Sequence, residues 1–133
     1  MIYMLDTNII SYLIKSHDEM LVRKFEVVSQ YDLVVISSIS VAELRYSVKK
    51  KQSKNLETVV NNFLHPLEQK DFDESSAIIY GDIRVDLEKR GRVIGALDML
   101  IAAHAKSLGA TIVTNNTKEF DRVVGLKVEN WVA

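Results

Sequence analysis

Ile2-Tyr3-Met4-Leu5-Asp6-Thr7-Asn8-Ile9-Ile10 is the stretch whose reading decides the fold. Four apolar residues end at an acid, the pattern of a short buried strand. Asp6-Thr7-Asn8 then supplies turn and cap residues before Ile9–Ile14, which reads as a short helix. A strand that is apolar throughout is covered on both faces, as in a parallel sheet. The unit therefore predicts an α/β protein whose first strand points Asp6 out at its carboxyl end.

Working outward, the same alternation continues. Leu21, Phe25 and Val28 repeat at helical spacing over residues 18–29, and Leu33-Val34-Val35-Ile36 is a second β-branched strand. Ser40-Val41-Ala42-Glu43 has the form of a capping box opening a helix with Val41, Leu44 and Val48 on one face. Leu56, Val59, Val60, Phe63 and Leu64 form an amphipathic stripe ended by His65-Pro66. Leu67–Lys70 reads as an edge strand, and Asp73 as the cap of a helix carrying Ile79, Tyr80, Ile83 and Leu87. After a loop bracketed by Gly91 and Gly95, Leu97, Leu100, Ile101, His104, Ala105 and Leu108 form a further stripe that Gly109 stops. Thr111–Thr114 and Leu126–Val128 complete the strands, with Trp131 beside the last. The pattern predicts a single α/β domain over residues 1–133 with a mostly parallel sheet.

Composition narrows the classes. The net charge of −1 gives no bulk attraction to nucleic acid, although a bound cation reverses the sign of an acidic pocket. The absence of cysteine excludes disulfides and thiolate metal sites. The apolar N-terminus lacks a basic region and a cleavage site, and no run reaches membrane-spanning length, so a cytoplasmic protein is expected.

In open α/β sheets, functional groups gather beyond the carboxyl ends of the strands. Asp6, Glu43, Asp98 and the 115–119 segment are expected to meet there. Each acid has an ordinary reading too. Asp6 suits a helix cap, Glu43 the capping box, and Asp98 a first helical turn, where the macrodipole favours it. Together they form a hard-oxygen ligand set suited to Mg²⁺ or Mn²⁺. Glu119 is equally a surface-turn acid, and Asp121 reads as solvated. Thr7, Asn8, Thr114 and Asn116 suit hydrogen bonds that orient the acids, or turns. His104 reads as a satisfied core histidine, and His17 and His65 have no catalytic context. Lys49-Lys50-Lys51 with Lys54 suits phosphate contacts, but cations at a helix C-terminus also complement the dipole, and that reading is favoured. Lys89, Arg90 and Arg92, just before the Asp98 helix, are the better phosphate contacts.

Met4–Asn8, Ile36–Leu44, Ile94–Ala105 and Val113–Val123, in that order and spacing, resemble the PIN-domain ribonucleases. Within them, the resemblance is to the VapC toxins of bacterial toxin–antitoxin pairs. It implies a five-stranded parallel sheet flanked by helices, with Asp6, Glu43 and Asp98 as metal-binding acids. Many PIN domains carry Asp where this chain has Asn116, and the nearest carboxylate is Glu119. The fourth ligand and the number of ions, one or two, therefore stay open. Asn8 and Thr114 correspond to supporting polar residues.

The resemblance further implies a homodimer, a VapB-type antitoxin whose tail blocks the acids, and operator DNA bound through that antitoxin. The implied activity is Mg²⁺-dependent hydrolysis of RNA, with initiator tRNA cut in the anticodon stem-loop and translation inhibited. Two other readings compete. One is a catalytically silent PIN domain serving a repressor complex. The other is a phosphatase of the haloacid dehalogenase type, for which Asn8 stands where a second Asp is wanted.

Overall fold

The computed structural model describes residues 1–15 and 18–132. The expected helix–strand alternation is present: β1 (Ile2–Leu5), α1 (Thr7–Lys15), α2 (Glu19–Tyr31), β2 (Leu33–Ser37), α3 (Ser38–Lys51) and α4 (Lys54–Leu64). There follow β3 (Glu68–Lys70), α5 (Glu74–Lys89), α6 (Ala96–Ser107), β4 (Thr111–Val113), α7 (Thr117–Phe120) and β5 (Lys127–Glu129).

The five strands form one parallel sheet in the order β3-β2-β1-β4-β5. β1 is central, pairing Tyr3 with Val34 on one side and with Thr111 on the other. The side-chain period of two explains why its residues are apolar throughout. Tyr3 and Leu5 join Val34, Ile36 and Val113 in a core shared with Ile9, Leu21, Leu44 and Val60, from α1 to α4. Met4, Val35 and Ile112 face the opposite way, into a core with Ile83, Leu87, Met99 and Ile101 of α5 and α6. Helices thus cover both faces.

The chain runs outward from β1 to β2 and β3, then crosses to the other side of β1 for β4 and β5. Neighbouring connections therefore diverge between β1 and β4, the switch point where open α/β sheets form a crevice.

Several local expectations hold. Asp73 caps α5, accepting from the Ser76 N–H at 3.0 Å. β3 is an edge strand. Gly109 follows α6 with φ of 65°, the left-handed stop that glycine adopts without a Cβ penalty.

Others need correction. Ser40 does not cap α3. The helix begins three residues earlier, at Ser38, with the Ser37 hydroxyl accepting from the Ile39 N–H at 3.1 Å, so Ser40 and Glu43 form no capping box. Ser37, Ser38 and Ser40 compete as caps, and the one ending β2 takes the position. Leu97 leaves the α6 stripe and is 47 % exposed, whereas Met99, Ala102 and Ala103 are buried. α6 is enclosed on most sides, which a single-stripe reading misses. Glu119 lies on the short helix α7, not in a surface turn. Among the described residues no helix is long and apolar enough to cross a membrane.

Candidate active site

Asp6 follows β1 directly. Its backbone N–H donates to the Val113 carbonyl at 2.9 Å, extending the β1–β4 pairing by one step and leaving the side chain at the switch point. The carboxylate is buried. One oxygen accepts from the Thr7 N–H at 2.8 Å, and the other from the Thr114 hydroxyl at 2.9 Å. The residue before α1 and the residue after β4 are thereby tied together across 108 positions of sequence.

Thr7 extends the constellation. Its hydroxyl donates to Glu43 at 2.7 Å and lies 3.0 Å from the Ser40 hydroxyl. The α3 register that displaced the capping box is what points Ser40 and Glu43 towards α1. On the other side, the Thr114 hydroxyl accepts from the Asn116 N–H at 2.9 Å. The Asn116 side-chain amide then donates to Glu119 at 2.9 Å. Asp98 enters from the first turn of α6, within range of the charges of Asp6, Glu119 and Glu43.

Burial raises the Asp6 pKa above the usual carboxylate range; hydrogen bonds from Thr114 and Thr7 oppose this, while Glu43 and Glu119 add to it. Asp98 is pushed up to about 6, first by burial and then by Asp6, Glu119 and Glu43. Asp6 and Asp98 therefore both sense the charges of Glu43 and Glu119, and a cation would relieve that repulsion. All the donors are carboxylate oxygens, the chemistry of a hard divalent ion. Among the described residues no group of three or more acid or imidazole side chains is gathered closely enough to hold a metal ion alone. A divalent ion bound here would therefore use one or two carboxylates directly, with waters and substrate phosphate completing its shell.

The remaining candidates separate. Asn8 is exposed on α1. Arg90 is engaged away from the acids, donating to Asp86 at 2.7 Å and to the Arg122 carbonyl at 2.6 Å. Arg92 is exposed in the loop before α6. His104 is a satisfied core histidine, with Nδ1 2.7 Å from the Ser37 hydroxyl and its ring edge-on to Phe72. His17 lies outside the described residues, and His65 is exposed after α4. Sequence reasoning missed Ser40 as part of the Thr7–Glu43 cluster. It also missed the bond from the Asn115 amide to the Tyr12 hydroxyl, 3.1 Å, which ties the α7 approach to α1.

A central parallel strand ending in a buried acid, with further carboxylates nearby, defines a candidate hydrolase site on an α/β sheet. The PIN domain pattern matches residues 3–126, and the chain belongs to this family. The relatives it resembles carry more particular names. It is 44% identical over 132 residues to "Ribonuclease VapC2" of Rickettsia felis, covering 98% of both chains. It is 40% identical over 131 residues to "tRNA(fMet)-specific endonuclease VapC" of Shigella flexneri, covering 97% of both. The crystal structure of VapBC2 from Rickettsia felis bound to a DNA fragment from their promoter contains a similar chain. It matches with a TM-score of 0.93 and 42% identity, over 98% of this chain and 99% of that one.

Proposed function

We propose that this chain, as a single PIN domain, is the ribonuclease toxin of a toxin–antitoxin pair and hydrolyses RNA phosphodiester bonds with a divalent ion. The observation that carries the reading is the approach of Asp6, Glu43, Asp98 and Glu119 to the switch point, where burial first, and then the charges of Asp6, Glu119 and Glu43, push the Asp98 pKa up to about 6. The names of the Rickettsia and Shigella relatives support it, and family membership sets the phosphatase reading aside.

Asp6 and Asp98 would hold Mg²⁺, with Glu43 and Glu119 ligating it directly or through water and Mn²⁺ as the alternative ion. When bound, the ion supplies a nucleophilic water and neutralises charge on the scissile phosphate. Thr114 and the Thr7 N–H fix both oxygens of Asp6, so that carboxylate needs no reorganisation when substrate arrives. The Thr7 hydroxyl holds Glu43 in the same way, and Asn116 holds Glu119. Water attacks the phosphorus, neither a side chain nor the 2′-hydroxyl being the nucleophile, and the 3′-oxygen leaves and takes up a proton, so the products carry 5′-phosphate and 3′-hydroxyl ends.

The Shigella relative's name points to initiator tRNA as substrate, and we place the cut in the anticodon stem-loop. The partner is a VapB-type antitoxin in an assembly built on a toxin homodimer, with promoter DNA held through the antitoxin.

Antitoxin-free protein incubated with total tRNA, in Mg²⁺ or in EDTA, tests the proposal beside Asp6→Asn. One discrete Mg²⁺-dependent cut with 5′-phosphate ends, absent in the variant, is expected. A folded Asp6→Asn protein that cleaves as well as the wild type would remove the acids from the mechanism.

A further inference from the structure

Helix α3 carries Glu43 into the candidate site, and the same helix leads outward from it. At 3.6 residues per turn, Lys50 lies within about 20° of Glu43 around the axis and about 10 Å further along. Tyr46 lies between them, about 60° to one side. Its ring is 65 % exposed, with the Lys50 ammonium over it at 5.9 Å from the centroid. Arg45, Lys49, Lys50, Lys51 and Lys54 are all exposed, and no acid occurs between Glu43 and Glu57. In a protein of net charge −1 this is a concentrated positive surface beginning at the acid cluster.

Complementing the α3 dipole accounts for cations in the last turn, because that effect fades within one turn. It does not account for an exposed tyrosine one turn nearer the site, or for Lys54, which belongs to α4. An aromatic face flanked by cations is instead the arrangement that stacks unpaired bases and neutralises the adjoining phosphates.

We propose that Tyr46, with Lys49 and Lys50, is the platform that receives the single-stranded part of the RNA beside the scissile phosphate. Tyr46 stacks one base and the lysines contact backbone phosphates. The proposal rests on the ribonuclease reading above. It assigns substrate binding to the α3 face, where Arg90 and Arg92 were the candidates on sequence grounds.

The test is fluorescence anisotropy with labelled total tRNA and a short unstructured oligoribonucleotide. Binding is measured in an Asp98→Asn background to prevent cleavage, beside cleavage assays in the otherwise wild-type chain. Tyr46→Ala should weaken binding about tenfold with little change in salt dependence, while Tyr46→Phe keeps the wild-type affinity. Lys49→Ala/Lys50→Ala should flatten the slope of log affinity against log salt by about 0.7 for each lost phosphate contact. In cleavage, the loss should appear in KM more than in kcat.

The platform is overturned if the parent binds and cleaves RNA while Tyr46→Ala and the double lysine variant match it in affinity and slope. It is also overturned if the lysine variant loses only affinity for polyglutamate, which would assign the patch to an acidic protein surface. A folded parent that neither binds nor cleaves any RNA sinks the ribonuclease reading as well, so the two failures are distinguishable.

Discussion

Replacing Asp98 by Asn should make the ion-free protein more stable at neutral pH. The Asp98 pKa is raised from 3.8 to about 6 by burial and by the charges of Asp6, Glu119 and Glu43. A raised folded-state value adds stability below the unfolded pKa, and this is lost as pH rises through about 6. The full difference corresponds to about 3 kcal/mol at 1.36 kcal/mol per pH unit. Asp98 is only partly buried, so solvent screening reduces this to about 1–2 kcal/mol. Loss of an acid from the first turn of α6 opposes it by about 0.3–1 kcal/mol. The net expectation is a gain of about 1 kcal/mol, or roughly 0.5 M in the urea midpoint.

Urea unfolding in EDTA, for wild type and Asp98→Asn, provides the assay. The gap between the two should be full near about pH 7.5 and should close towards about pH 4, where the wild-type carboxyl is protonated. Millimolar Mg²⁺ should then stabilise the wild type selectively, because only it retains the complete acid set. A variant less stable than wild type in EDTA at neutral pH, or a gap that ignores pH, would refute the argument from charge crowding.

Other consequences follow from single bonds. Thr114→Val leaves the buried Asp6 carboxylate short of a donor and should cost about 1–3 kcal/mol at neutral pH, measurable by the same unfolding experiment. Thr7→Val removes the hydroxyl that holds Glu43; cleavage should fall at least tenfold while the melting temperature moves by only a few degrees. The His104 pKa is lowered by burial, with Asp73 and Asp71 partly opposing. Its stabilising contribution is present above the unfolded value near 6.5 and is lost as pH falls, so His104→Gln should show a smaller loss of stability on acidification than wild type.

Those bonds also mark how far the sequence alone could be read. The alternation of apolar runs was sufficient for the order of the longer helices and of β1, β2 and β4, because those strands are short, apolar or β-branched, and bounded by turn residues. Edge strand β3 and the Asp73 cap were legible for local reasons. The opening of α3 was not, since three serines compete for the cap and only the length of β2 decides between them. That one local error hid Ser40 and gave Glu43 a cap role in place of its bond to Thr7. Helix α7 was likewise illegible: four residues carry too little periodicity, and Phe120 is held by the second core. Arg90 could be placed near the site by sequence distance, but its partners, Asp86 and the Arg122 carbonyl, depend on tertiary packing.

The hydrogen bond from Thr114 to Asp6 spans nearly the whole chain. Asp6 is made well before its partner, which lies 108 positions further along the chain. A nascent chain that has formed only β1, β2, β3 and their helices lacks Thr114, Asn116 and Glu119. Its early acids are without the far half of their setting. The acid site is therefore assembled only once β4 has joined the sheet beside β1, a dependence written into the order of the strands.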